Sequence, residues 1–287
     1  MKNLRHHMWI LMLALTTFCI VSCSEELQEA DCAQVSFTAT LPQESYTRSF
    51  GDAGQINTMV VGVYKKVAEK NGLDNGNDEQ GWSYVEVDRK LCRVSGTSVN
   101  IHLSLTKNQN YSIVFWAYDD HFDIYDTEDL TAIRMKELPK SISFTQAESM
   151  DVFFAAQTDL VVNGNHSCTI ELVRPLAQIN VGTTETPQQA SFTVKDVPHT
   201  FHPLTNTVSG TTNYTWNFSE TTTETFYADS KQYNYLAIGY LFASPTPAKV
   251  ISELTLTDGE TSKTVQFNKV KVEANCRSNI VGRITLE

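Results

Sequence analysis

The chain has 287 residues, and at ~100–200 residues per domain it holds one or two domains; a hydrophobic share of 41% is enough for a packed core and argues against global disorder. Only 19% of residues are charged, with Thr, Ser, Asn and Val abundant, the composition of a sheet protein rather than a helical one. The formal net charge is −11, and so acidic a body repels phosphate backbones and anionic lipid surfaces, which excludes nucleic acid as an expected partner.

Lys2 and Arg5 precede an apolar run from Trp9 to Val21, the basic and hydrophobic regions of a secretory signal, too short to span a bilayer with ease. The run ends in Ile20-Val21-Ser22-Cys23, which resembles a bacterial lipobox. In such a motif the cysteine is acylated and becomes the new N-terminus after cleavage. A plain signal peptide with an incidental cysteine and a transmembrane anchor are the alternatives. Each buried methylene adds ~0.8 kcal/mol, so a multiply acylated (palmitate-type) Cys23 would hold the chain on a membrane almost permanently. Loss of residues 1–22 removes two basic and no acidic residues, taking the charge from −11 to −13. Ser24-Glu25-Glu26 resembles the acidic signal that sends lipoproteins of Bacteroidetes to the outer face of the outer membrane, and residues 23–34 read as an acidic tether.

The first strand is predicted over residues 35–41, with Val35, Phe37, Ala39 and Leu41 on one face and Ser36, Thr38 and Thr40 on the other. Pro42 closes it. The polar, Gly-bearing loop of residues 43–55 presents Arg48 to a protease. Residues 59–64 form a strand apolar on both faces, hence central. Residues 71–79 are a turn-rich loop and not a calcium loop, because Gly76 offers no ligand side chain where one is needed. Residues 84–90 and 97–105 read as a pair of strands, and residues 111–118, apolar on both faces, as the centre of the first sheet. The pattern predicts one short helix over residues 126–138, with Leu130 and Ile133 on its apolar side and Pro139 after it.

Around Arg174-Pro175 the inward phase slips from Cys168, Ile170 and Leu172 to Ala177, Ile179 and Val181, which predicts a bulge in a long bent strand serving two sheets. Further strands are expected over residues 192–197, 233–243, 250–256, 264–272 and 279–286. Thr211-Thr212-Asn213 and Thr221-Thr222-Thr223 lack apolar content, so a domain change is expected there. The fold class is all-β, with β-sandwiches joined by Greek-key-type connections. An N-terminal sandwich would cover residues 35–210 and a smaller one residues 211–287.

Of six cysteines, Cys19 leaves with the signal and Cys23 carries lipid; Cys32, Cys92, Cys168 and Cys276 remain, widely spaced and without a C-x-x-C pair, so no metal site is expected. An oxidising compartment would permit disulfides, and buried thiols in strands are an equal reading. No serine-hydrolase elbow, H-E-x-x-H or phosphate loop is present, so no catalytic residue, cofactor or enzymatic activity is expected. His199 and His202 have an H-x-x-H spacing, but on a strand they point to opposite faces. Asp119-Asp120 and Glu128-Asp129 read as solvated charges. Trp116, Trp216, Tyr233, Tyr235 and Tyr240 offer a sugar-stacking platform or, more simply, core.

Several segments together carry a resemblance. They are the lipobox at Cys23, the alternating strand at residues 35–41, and Thr47-Arg48 before Val60-Val61-Gly62-Val63-Tyr64. Leu172-Val173-Arg174-Pro175-Leu176-Ala177 and Arg277-Ser278-Asn279-Ile280-Val281-Gly282 complete the set. On these the chain resembles the fimbrillin-like (type V pilin) lipoprotein family of Bacteroidetes and its short relatives. The resemblance implies two tandem transthyretin-like β-sandwiches and a cell-surface fimbrial subunit, accessory or anchor. It also implies cleavage at Arg48 by an arginine-directed protease, loss of the strand bearing Val35, Phe37, Ala39 and Leu41, and donor-strand addition from another subunit of a homo- or heteropolymer. Removing an edge strand leaves unpaired backbone and an apolar groove, which another extended segment fills. Ile280, Gly282, Ile284 and Leu286 are a candidate donor strand; the same residues also read as the last strand of the second sandwich. The competing reading is a monomeric surface lipoprotein, held in the outer membrane by Cys23, that binds a glycan or a host protein.

Overall fold

The computed structural model describes residues 31–42, 53–68 and 82–286. Cys23, Arg48 and the turn-rich loop of residues 71–79 lie outside the described residues. The described chain is nearly all β, and among its residues no helix is long and apolar enough to cross a membrane.

Period-two alternation builds the first sheet. In it β1 (Cys32–Thr40) lies between β4 (Ser98–Thr106) and β9 (His166–Glu171), and every second residue of β1 and β4 is buried. The facing sheet has the order β3 (Trp82–Arg93), β2 (Thr58–Ala68), β5 (Gln109–Tyr118), β8 (Val152–Val162). Phe37, Ile101, Leu103, Val61, Phe115 and Phe153 fill the space between the two sheets.

A second pair of sheets follows. One has the order β15 (Thr225–Ala228), β16 (Lys231–Phe242), β10 (Leu176–Thr183), β19 (Arg277–Gly282). The other runs β14 (Thr212–Asn217), β11 (Gln189–Val197), β17 (Ala248–Asp258), β18 (Thr261–Val272). A small sheet, β13 (Thr207–Ser209), β12 (Thr200–His202), β7 (Ile133–Met135), β6 (Tyr125–Asp126), joins the two halves. Its Phe201 packs on Trp116 and Phe154 from the first half and on Phe242 from the second.

That arrangement explains why β2 and β5 are apolar on both faces. Met59, Val61, Val63, Ile113 and Phe115 serve the first core, while Val60, Tyr64, Val114 and Trp116 belong to the larger cluster running into the second pair of sheets. Both strands are central, as their sequence predicts.

Several expectations need correction. By sheet partnership, residues 176–197 go with residues 212–282 rather than with the strands before Arg174, whereas the sequence pattern puts them on opposite sides of a boundary between 210 and 211. The Thr-rich runs open β14 and form a connection within one sheet pair; low apolar content marks a strand end there, not a change of core. Arg174-Pro175 is no bulge in one strand: β9 ends at Glu171, β10 starts at Leu176, and the chain crosses from one sandwich to the other. No helix spans residues 126–138, where Leu130 and Ile133 are buried by a turn leading into β7. The helix is instead α1 (Phe144–Glu148), opened by a capping box of Ser143 and Gln146. Finally, β3 and β4 do not pair with each other; β3 pairs with β2 and β4 with β1, in opposite sheets.

Candidate functional site

The site with the clearest physical definition is the slot that β1 fills. β1 is antiparallel to β4 over nine residue pairs, Cys32↔Thr106 to Thr40↔Ser98. On its other side it is parallel to β9 over six, Val35↔His166 to Thr40↔Glu171. It is therefore the centre of its sheet and not the edge strand that the groove argument assumes. Sequence distance hides this: β9 is the ninth strand in chain order, and it pairs with the side of β1 away from β4.

Val35, Phe37, Ala39 and Leu41 all point into the first core, and Phe37 meets Phe115 edge-on with ring centroids 5.2 Å apart. Burying Val35, Phe37 and Leu41 contributes roughly 1.5–3 kcal/mol each. The opposite face is polar and locally satisfied. Ser36 Oγ lies 2.9 Å from His102 Nδ1, Thr38 Oγ1 donates to Asn100 Oδ1 at 3.0 Å, and Thr40 Oγ1 donates to the Ile170 carbonyl at 3.3 Å. Leu41 N–H donates to the Thr97 carbonyl at 2.8 Å at the downstream end. Asp31 pairs with Lys107 at 3.2 Å at the upstream end. The walls of the slot, β4 and β9, were not nameable from sequence. The alternation of Val99, Ile101, Leu103 and Leu105 gave β4 an inward face, but no local signal assigns it to β1.

The candidate donor residues have a place of their own. β19 runs parallel to β10, from Gln178↔Arg277 to Thr183↔Gly282, and forms the edge of its sheet. Ile280 is half-buried within β19; Ile284 and Leu286 lie beyond its end and pack against the second core. Thr183 Oγ1 accepts from Ile284 N–H at 3.2 Å and donates to the Ile284 carbonyl at 3.0 Å. Asn180 Nδ2 donates to Asn279 Oδ1 at 3.1 Å. The two halves thus share one plan, since β1 and β10 each lie between an antiparallel neighbour and a parallel last strand.

The remaining polar candidates do not converge on a reaction centre. His202 Nε2 contacts Ser209 Oγ at 2.7 Å, while His199 Nδ1 contacts Thr200 Oγ1 at 2.8 Å. Asp119, Asp120 and His121 lie close together; Asp119 is buried, while Asp120 and His121 are exposed, and all three are hydrogen-bonded to the start of β2. Asp119 accepts from Asn57 Nδ2 and Asp120 from Thr58 Oγ1 and Arg93. Burial pushes the Asp119 carboxyl up, but hydrogen bonds from the backbone and ring of His121 outweigh it and leave it below the usual carboxylate range. Trp116, Trp216 and Tyr240 are fully buried, so they are core and not a sugar platform. Cys32, Cys92, Cys168 and Cys276 are free thiols.

Slot, facing sheet and second sheet pair define an all-β sandwich chain whose first strand is inserted centrally. Residues 27–285 match the model of DUF6562, a family of unknown function, and the chain belongs to that family. A comparison with curated proteins yields no match. Among solved structures the chain is similar to a DUF1812 protein of Bacteroides thetaiotaomicron VPI-5482, at 14% identity and TM-score 0.49, covering 82% of this chain and 80% of that one. It is also similar to the tip fimbrial protein Mfa3 of Porphyromonas gingivalis, at 8% identity and TM-score 0.43, covering 83% and 82%. The fimbrial anchor protein Mfa2 of the same organism stands at 11% and 0.42, covering 82% of each chain. At these identities and TM-scores none of the three assigns a function.

Proposed function

We propose that the chain is a surface lipoprotein of fimbrial type, a subunit or an accessory or anchor component, held in the outer membrane by lipid on Cys23. In this reading cleavage at Arg48 releases β1, and an extended segment of another subunit takes its place. The single observation that carries the reading is the central position of β1. Its loss would expose backbone on both β4 and β9 and empty an apolar row, so the slot would demand a new strand. The contribution of three large side chains, at roughly 1.5–3 kcal/mol each, is comparable with the ~5–15 kcal/mol that keeps a whole domain folded. Alternate side chains in the slot would set the register of the incoming strand. Donation by the C-terminal segment would require it to leave β10 first. No step in this reading is enzymatic.

The test is brief digestion of residues 24–287 with an arginine-specific protease, followed by unboiled detergent gels. Cleavage at Arg48 with a ladder of resistant oligomers is expected. Cleavage that yields only monomers with β1 still bound sinks the strand-exchange reading. That outcome would favour a monomeric lipoprotein binding a glycan or host protein, for which Trp82 is the observation: it is 51% exposed on β3, with Lys66 Nζ 5.2 Å from its ring centre. Ligand binding lost in Trp82→Ala would then identify that face.

A further inference from the structure

The outer edge of β3 is built unlike β18, the edge strand that matches it in length. β18 is also a 12-residue edge strand, and it protects itself with Lys263, Lys269 and Lys271 and exposes no large apolar side chain. β3 has the same length and position, yet it carries Trp82, Val85, Val87 and Leu91, which are 51%, 48%, 46% and 65% exposed. Four of the nine exposed large hydrophobics among the described residues are on this one strand. Single exposed apolar residues need no explanation, but four of them on one edge strand do.

The charges of β3 say what fits there. Arg89 is held by Glu86 in its own chain, Nε to Oε1 at 2.8 Å and Nη2 to Oε2 at 2.7 Å, and it also donates to the Thr127 and Glu128 carbonyls. Arg93 is paired with Asp120 at 2.6 Å. Lys90 Nζ donates to the His102 carbonyl at 2.9 Å but meets no carboxylate, and Asp88 meets no cationic side chain, among the described residues. Two charges of opposite sign, without an ionic partner among the described residues, therefore flank Arg89, one residue on either side.

We infer that the β3 edge pairs with the β3 edge of a second copy of this chain, antiparallel about a two-fold axis at Arg89. In that register Asp88 faces Lys90 of the second copy and Lys90 faces its Asp88, so both charges are satisfied at once. Val87 and Leu91 then stand opposite Leu91 and Val87 of the second copy, giving two apolar pairs beside the two ionic ones. A parallel in-register pairing would set Asp88 against Asp88 and Lys90 against Lys90, so the pattern selects the antiparallel two-fold. Arg89 meets its own counterpart on the axis, but its charge is already balanced by Glu86. The β-bulge opposite Val63 and Tyr64 ordinarily turns an edge away from pairing; here it leaves Val87 without a partner in β2 and adds one more exposed apolar side chain to the strand. This lateral contact uses a different sheet from the one that holds β1, and it needs no proteolysis.

Sedimentation equilibrium of residues 24–287, uncleaved and at low salt, tests it with a charge-exchange pair. The native chain is expected to be in monomer–dimer equilibrium, with a Kd on the order of tens of micromolar. Asp88→Lys alone and Lys90→Glu alone are each expected to weaken the dimer about tenfold or more, since each turns two attractive cross-strand pairs repulsive. An equimolar mixture of the two variants is expected to recover native affinity, because each substituted charge then meets the opposite one. Leu91→Ser, at a largely exposed site, is expected to weaken the dimer without lowering the melting temperature. A native chain that stays monomeric at about 100 micromolar overturns the proposal. So do variants that dimerise like the native chain, or folded variants whose mixture remains monomeric. Arg48 cleavage that gives no oligomers bears on the fimbrial reading alone.

Discussion

Arg174 holds Asp151 in a buried two-point ion pair, Nε to Oδ1 at 2.5 Å and Nη2 to Oδ2 at 2.7 Å, at the place where the chain passes from one sandwich to the other. The guanidinium also lies over the Phe153 ring, 4.6 Å from its centroid, and donates to Asn275 Oδ1 at 3.4 Å. Asp151 precedes β8 of the first half, and Asn275 precedes β19 of the second. One side chain therefore ties the start of β8 and the start of β19 to the crossing between the two halves. Planar, forked and always charged, arginine suits this role in a way that lysine does not.

Removing Arg174 would strand a buried carboxylate. Arg174→Met is expected to cost about 3–5 kcal/mol near neutral pH, read as a shift in the urea midpoint. Burial pushes the Asp151 carboxyl up, and Arg174 draws it part of the way back. With Arg174 gone its folded-state value rises further above the unfolded one. A raised value means that stability is present at low pH and is lost as pH rises through the folded value. The penalty of Arg174→Met is thus expected to be smaller at pH 4.5 than at pH 7.5. A penalty that is equal at both, or larger at the lower pH, would disprove this account of the pair.

How much of this was legible in the sequence follows from which forces act locally. The alternation in residues 35–41 could be read because one face of β1 enters a core, and a one-residue slip would expose Phe37. The two-sided apolar character of β2 and β5 gave their central position, though not the two separate cores behind it. Ser143 and Gln146 carry a capping-box signal that would have located the short helix, and the apolar spacing of Leu130 and Ile133 points elsewhere. The apolar run at the start of β8, from Val152 through Ala155, was also readable and went unassigned. Nothing local pairs Val35 with His166 or Asn180 with Asn279; these contacts join residues about a hundred or more positions apart. At Arg174-Pro175 the sequence suggests one slipped phase, but β10 is buried on both faces, and whether a chain bends within a sheet or leaves it depends on those distant partners.

The two faces of β1 should differ sharply in what they contribute. Phe37→Ala empties a site against Phe115 and is expected to cost about 3–5 kcal/mol. Thr38→Ala removes one exposed hydrogen bond to Asn100 and is expected to cost no more than about 1 kcal/mol. Urea titrations of both variants, made on the uncleaved chain, measure the contrast. Similar costs for the two would mean that the apolar row is not what seats the strand.

Gly182 is required by a close approach rather than by its backbone angle. A Cβ there would lie 2.6 Å from the Phe226 ring and 2.9 Å from Tyr233 Cβ. Phe226, Tyr233 and Tyr235 form a small cluster over the end of β10, with the Phe226 and Tyr235 rings 4.5 Å apart. Gly182→Ala is expected to displace Phe226 and cost about 1–3 kcal/mol, the usual range for overpacking. The pairing Phe226→Ala with Gly182→Ala opens room for the methyl, so the double variant is expected to lose less than the two single losses combined. Strict additivity in melting experiments would show that the ring is not the obstacle.

Alkaline pH gives an independent probe of the second sheet pair and its junction with the first. Burial pushes Tyr214 and Tyr235 up to about 12, and it also pushes the fully buried Tyr125 and Tyr240 well above the ordinary value. A phenol held above its unfolded value of about 10 contributes stability that is intact below pH 10 and is lost as pH rises through the folded value. Absorbance at 295 nm is therefore expected to show a group of tyrosines that fails to ionise near pH 10. That group is expected to titrate together with loss of far-UV circular dichroism as the pH approaches 12, because ionisation requires the sheets to open. Replacing Tyr214 by Phe removes one late-titrating phenol and the hydrogen bond from its hydroxyl to the Met135 carbonyl, so the late amplitude is expected to fall by one tyrosine. If all tyrosines ionised near pH 10 with the sheet signal unchanged, the packing of β10, β14 and β16 around these side chains would be wrong.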